Sequence, residues 1–224
     1  MARHSDAKVP FTFYMVDSSA LNAFALPGGY IFVNAGLIEI ADDEDELAGA
    51  MAHEIAHVAA RHMTRQATKS RIARMGVAPL GAVLGGWTGY AASQAAGVAI
   101  PMTFLSFGRK DEAEADYLGV QYAYAAGYDP TGVISIFEKL ESLERKQPGA
   151  VSKAFASHPQ DADRIGRTER EIQEILPAKA TYVVTTSQYG DIRQRLIDLR
   201  AARENPEASG QPRLRAIQRR DLLP

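Results

Sequence analysis

The chain has 224 residues, 46% of them hydrophobic, which suits one well-cored domain, or one domain with a tail, and excludes disordered and fibrous classes. A formal net charge of -2 gives no reason to expect a nucleic-acid partner, since phosphate binding needs a clustered excess of Lys and Arg. There are no cysteines, so disulfides and thiolate ligands are excluded and any metal must be held by His, Asp or Glu.

The opening "MARHSDAKVP" lacks the apolar core of a signal peptide. "ARHSDA" reads like the end of a helix behind a bare Met, so we expect a chain cut short, whose native form carries an upstream helix and, if exported, a signal. Residues Pro10 to Val16 alternate and are aromatic and β-branched, which predicts a strand; Gly29 to Asn34 predicts another. "DSSALNAFALPGG" between them supplies turn residues, giving a small antiparallel sheet. From Asp42 to His62 the pattern turns helical, with acids crowded into the first turns, where they complement the helix dipole.

Met75 to Gly108 then runs 34 residues without a charge, but Gly, Pro79, Pro101, Ser93 and Gln94 dilute its hydrophobicity. Three readings stay open: a buried helical hairpin, a lid or membrane-surface element making peripheral membrane contact, and a true span. A second charged helix starts at Arg109 and ends at Gly127. Helices are expected over Thr131 to Arg145 and Gln160 to Leu176, separated by a loop. "TYVVTTS" suggests a short strand, "YGDIRQRLIDLR" a helix, and the last twenty or so residues an extended tail. The expected division is a domain over 1–176 and an extension over 177–224.

Three of the five histidines fall in "MAHEIAHVAARHM". His53 and His57 are four apart, so on a helix they project from one face and can converge on one cation, with Glu54 beside them. This is H-E-x-x-H, two imidazole ligands plus a carboxylate placed to take a proton from an attacking water. His62, at roughly 100° per residue, lies about 140° round the helix from His57 and is expected off the ligand face, in a supporting or structural role. Ala60 and Met63 stand where a metzincin would have Gly and a third His, so that class is excluded.

A catalytic zinc usually takes three protein ligands, so one must come from elsewhere. In "DEAEADY" Glu112 and Asp116 are again four apart, allowing the first to bind metal and the second to buttress a ligand histidine. Ala113 and Ala115 are small enough to let the two helices pack closely, and Glu114 lies off the Glu112/Asp116 face.

His53-Glu54-Ile-Ala-His57 followed by Glu112-Ala-Glu-Ala-Asp116 resembles the gluzincin metallopeptidases of the HtpX, BepA, Oma and CaaX-prenyl-protease family. "NAFALPGGYIFVNAGLI" (Asn22 to Ile38) and "SHPQDADRI" (Ser157 to Ile165) extend the likeness to about Pro10 to Arg167, nearest to the soluble, periplasmic BepA-like members. The resemblance implies one zinc ion held by His53, His57 and Glu112, with Glu54 as general base and Asp116 supporting the site. It implies an α+β, mainly helical domain with a small antiparallel sheet flanking the cleft, in the periplasm or cell envelope. By the same likeness "LPGGYIFV" is an edge strand beside the cleft, with Asn22, Pro27, Gly28, Gly29 and Tyr30 available to an extended peptide by β-augmentation; an ordinary hairpin is the alternative. His158 has two candidate roles, a hydrogen bond to the developing oxyanion or the fourth zinc position in a resting enzyme. Arg164 is expected to anchor the His158 loop or to bring positive charge to the substrate cleft.

The function expected is a zinc endopeptidase acting on unfolded or misassembled proteins. The competing reading is a chaperone-like envelope binding module with a latent or structural zinc site. Nothing in the residues determines an oligomeric state.

Overall fold

The computed structural model describes residues 1–69, 107–149, 158 and 163–204. Three strands, β1 (Thr12–Val16), β2 (Ala23–Leu26) and β3 (Tyr30–Asn34), form a sheet in the order β1-β3-β2. β1 runs parallel to β3 and β2 antiparallel to it, so the sheet is mixed rather than antiparallel. The expected turn region contains β2, whose inward residues are the small Ala23 and Ala25. With alanines inside, the strand lacks the β-branched signature that marks β1 and β3.

The β2–β3 hairpin closes through Pro27, Gly28 and Gly29, with both glycines at positive φ (95° and 89°). At Gly29 a side chain is impossible, because a Cβ would stand 2.1 Å from the carbonyl oxygen of Pro10. That close approach brings β1 alongside the turn, where Thr12 N–H donates to the Gly29 carbonyl at 2.9 Å.

Among the described residues six α-helices follow: α1 (Ala35–Ile40), α2 (Glu44–Ala59), α3 (Arg109–Ala125), α4 (Gly132–Lys146), α5 (Arg164–Ile175) and α6 (Ser187–Glu204). Residues 62–69 are also helical. The architecture is α+β and mainly helical, as expected. α2 is the central element and packs on β2, α3 and α4. Ile31, Ile55 and Ile136 are wholly buried between these layers, each worth roughly 1.5–3 kcal/mol relative to exposure.

Close approach of α2 and α3 rests on Ala115, fully buried, and on Gly119, where a Cβ would meet the backbone nitrogen of His53 at 3.1 Å. Ala113, the other small residue expected at this contact, is only half-buried. "TYVVTTS" forms no strand; Val183 makes a single bridge to Tyr128, and the Val184 carbonyl accepts from Asp45 N–H at 2.9 Å, strapping the start of α2. α6 docks on α1 through Tyr189, whose hydroxyl donates to the Ala41 carbonyl at 2.7 Å.

The 75–108 segment lies outside the described residues except for Phe107 and Gly108, as do the loop before His158 and the tail beyond Glu204. Among the described residues no helix is long and apolar enough to cross a membrane.

Candidate metal centre

Helical spacing puts His53 and His57 on the face of α2 that meets α3, and the same spacing puts Glu112 and Asp116 on the facing side of α3. His158 enters from the connection before α5. The four side chains His53, His57, Glu112 and His158 form a buried group able to hold a metal ion. His53 Nε2 is 3.0 Å from His57 Nε2, 3.4 Å from Glu112 Oε2 and 3.3 Å from His158 Nδ1. Glu112 Oε1 is 3.4 Å from His57 Nε2 and 3.0 Å from His158 Nδ1. Donors about 2.0–2.2 Å from a tetrahedral zinc stand roughly 3.3–3.6 Å apart, and these spacings of 3.0–3.4 Å come near that range.

The hydrogen-bond chemistry fits as well. His53 Nδ1 lies 2.9 Å from Asp116 Oδ1, so one proton belongs on that side and Nε2 can present a lone pair to a cation in the cluster. Lone pairs from buried imidazoles and a carboxylate repel one another unless a cation sits among them. A proton competes with a cation for that Nε2 position. Burial works against a charged His53, yet hydrogen bonds to Asp116 and Glu112 push its pKa up to about 9. Burial drives His57 well below the ordinary imidazole value despite its bond to Glu112. Glu112 is also buried, but the three surrounding histidines hold it far below the usual carboxylate range.

Glu54 is 3% exposed and stands beside the cluster, 3.3 Å from His158 Nε2. Burial raises its pKa, which moves a carboxylate toward the range useful for proton transfer. Asp116 is held by Arg164, which donates through Nε at 2.8 Å and Nη2 at 2.6 Å. Burial alone would raise the Asp116 pKa, but the guanidinium and His53 bring it down to about 2. Arg164 is 1% exposed and lies 3.8 Å above the Phe137 ring. Its fork is engaged by Asp116, and it borders the cleft as a buried support rather than as a free surface charge.

His62 overturns the ideal-helix extrapolation. α2 ends at Ala59, Arg61 takes a left-handed conformation (φ 57°), and the chain turns so that His62 Nδ1 lies 3.0 Å from His57 Nδ1. It is 1% exposed and reaches Glu114 Oε2 at 3.2 Å through Nε2. His62 therefore does not face away; it backs His57, while staying outside the four-donor group. The Phe107 ring lies against His57, tilted by 33° with 4.0 Å between ring centroids. Neither Phe107 nor Phe137 stands out in the sequence, where an aromatic on an apolar stretch reads as ordinary core.

Two clefts flank the cluster along β2. One is lined by Asn22, Ala23, Leu37, Phe137 and Leu140 next to Glu54. The other is lined by Leu26, Pro27, Gly28, Arg61 and Met63 next to His57. Gly29 and Tyr30 line neither. The expected edge strand is corrected: β3, which carries "YIFV", is the central strand, and β2 is the edge next to the site, since β3 is paired on both sides.

Two helices crossing with paired imidazoles, a carboxylate and an adjacent buried glutamate define a metallopeptidase class of site. The chain belongs to peptidase family M48, whose model matches residues 1–172. It is 34% identical over 187 residues to the putative beta-barrel assembly-enhancing protease of Vibrio cholerae serotype O1, covering 80% of this chain and 38% of that protein. It is 30% identical over 182 residues to the beta-barrel assembly-enhancing protease of Escherichia coli strain K12, covering 77% of this chain and 37% of the relative. With the mitochondrial metalloendopeptidase OMA1 of Schizosaccharomyces pombe the identity is 35% over 157 residues, 70% of this chain and 44% of that one. The chain thus spans less than half the length of each of these relatives.

Proposed function

We propose that this chain is the catalytic unit of a zinc endopeptidase that hydrolyses peptide bonds in unfolded or misassembled proteins. The observation that carries the proposal is the convergence of His53, His57 and Glu112 with Glu54 buried beside them. In this reading the three side chains hold one zinc ion, which when bound supplies Lewis acidity toward the scissile carbonyl and acidifies water. Glu54 takes the proton from the attacking water and delivers it to the leaving amine. Asp116, itself fixed by Arg164, keeps His53 in the tautomer that faces the metal.

His158 serves as the fourth donor of a resting enzyme. Leaving that position would free its imidazole to hydrogen-bond the carbonyl oxygen as charge develops there. The substrate is an extended segment lying along the outer edge of β2, spanning the clefts that include Asn22 on one side and Pro27 and Gly28 on the other. Backbone pairing there would tolerate many sequences. Arg164 contributes by holding Asp116, not by contacting peptide.

The catalytic unit corresponds to 1–176, with 177–224 as an extension whose described part packs back on α1 and the start of α2. A periplasmic or cell-envelope location, with peripheral membrane contact, is proposed from the resemblance to the beta-barrel assembly-enhancing proteases. A purely structural metal site in a holding module would leave Glu54 without a role. The test is Glu54→Gln: the purified variant should keep its zinc and lose cleavage of casein, by about 100-fold or more. Cleavage equal to the parent would remove the proposal.

A further inference from the structure

The two ligand histidines of α2 need different explanations for what holds them. A metal-binding imidazole generally donates its remote N–H to a carboxylate, a carbonyl or water, which sets its tautomer and orientation. His53 follows that pattern with Asp116. His57 meets another imidazole instead, His62, at 3.0 Å between Nδ1 atoms.

The protons along this contact can be assigned from geometry. His57 Nε2 faces Glu112 and His53 in the cluster, so it presents a lone pair and its proton resides on Nδ1. His57 Nδ1–H then donates to His62 Nδ1, which must be unprotonated. His62 is therefore the Nε2–H tautomer, and that N–H points at Glu114 Oε2, 3.2 Å away, with Asp111 Oδ1 at 3.7 Å. Arg65 donates to the same Glu114 oxygen at 3.1 Å and holds the outer end. Each link in the chain has a donor facing an acceptor. His62 is 1% exposed, so water does not offer a substitute partner. Arg61, a non-glycine residue, adopts a left-handed backbone at the turn that brings His62 into reach, a conformation kept only where surrounding contacts enforce it.

Resting on the metal-site reading above, we propose that His62 and Glu114 form a positioning relay behind His57, which fixes its tautomer and aims its Nε2 at the metal. His62 is a positioning residue; it touches neither metal nor substrate.

The test compares zinc affinity, by competition with a chromophoric chelator, in the full chain and in His62→Phe, Glu114→Ala, Asp111→Asn/Glu114→Ala and His62→Phe/Glu114→Ala. Removing a partner of this kind typically weakens binding by about 10–100-fold, and that loss is expected for His62→Phe. Removing both facing carboxylates should give a smaller loss. The His62→Phe/Glu114→Ala variant should be no worse than His62→Phe alone, because the two act in series. His62→Gln, whose amide oxygen can accept from His57, should recover most of the affinity. Long-range nitrogen–proton spectra of the zinc-loaded protein should report His62 as the Nε2–H tautomer, a readout that mere packing would not dictate.

Unchanged affinity in His62→Phe, additive losses in the double variant, or the opposite His62 tautomer would overturn the relay. If His62→Phe does not fold, the surface variants and the spectra decide. Failure of the parent to bind zinc at all would instead sink the metal-site reading, and zinc-dependent casein cleavage with indifferent affinities would sink only the relay.

Discussion

His53 and His57 sit one turn apart on α2, yet the protein supports them in opposite ways. Behind His53 everything is closed: Asp116 and Arg164 are each 1% exposed and locked in a two-pronged pair over Phe137. Behind His57 the support runs outward, through buried His62 to Glu114, whose side chain is 45% exposed, and to Arg65 at the surface. One side of the cluster is part of the core and the other opens on solvent. A ligand built into the core cannot be disturbed without disturbing the fold, whereas one held from the surface can be tuned almost independently of it.

This asymmetry can be tested in several places. The largest effect should come from Glu112→Ala, which removes the donor shared by both sides; the purified protein should lose its zinc, and full occupancy on metal analysis would refute the ligand set. Next is the contrast between two carboxylates. Asp116→Ala strands the buried Arg164 charge and should cost about 3–5 kcal/mol in denaturant unfolding, together with metal. Glu114→Ala should stay within about 1 kcal/mol of the parent, since exposed pairs contribute little. Equal destabilisation by the two would erase the distinction between a closed and an open side.

His158→Ala should have a milder effect, because three donors remain. Zinc should stay bound but pass to a chelator faster than from the parent, and an unchanged rate would show that His158 is not a donor in the loaded protein. The smallest effect concerns Asp45, at the start of α2 and away from both sides, and serves as a control for the helix itself. Burial, aided by neighbouring acids, raises its pKa from 3.8 to about 6. Between those values the folded protein keeps a proton that the unfolded chain has lost. The Asp45 contribution to stability is therefore greatest below pH 3.8 and declines as pH rises to about 6. Asp45→Asn should accordingly melt a few degrees higher than the parent above pH 6, with the gap closing toward pH 4, and a gap independent of pH would contradict the buried acid.

Much of the cluster is legible in the sequence because its side chains come in pairs four apart. That spacing, with H-E-x-x-H on one helix and Glu112/Asp116 on another, is a local regularity of the helix. His62 escapes the same rule, because a uniform 100° per residue does not hold past Ala59, where the helix breaks at Arg61. Glu114, off the Glu112/Asp116 face, gains its partner only because that break returns His62 toward α3. β2 reads as a turn, since two inward alanines beside a Pro-Gly-Gly carry more turn signal than strand signal. Nothing local distinguishes Arg164 from a surface arginine; its partner Asp116 lies 48 residues earlier in the chain.

By itself the sequence determined which donor types a metal could meet, through the absence of cysteine, and the two helices that present them, through their periodicity. Both are properties of composition and of backbone geometry over a few residues. Tertiary structure alone decided that His158 meets His53, His57 and Glu112, that β2 rather than β3 borders the site, and that one histidine is backed by the core and the other from the surface. Those outcomes depend on which residues far apart in the chain are packed into contact, and packing follows the shapes of whole elements rather than the spacing within any one of them.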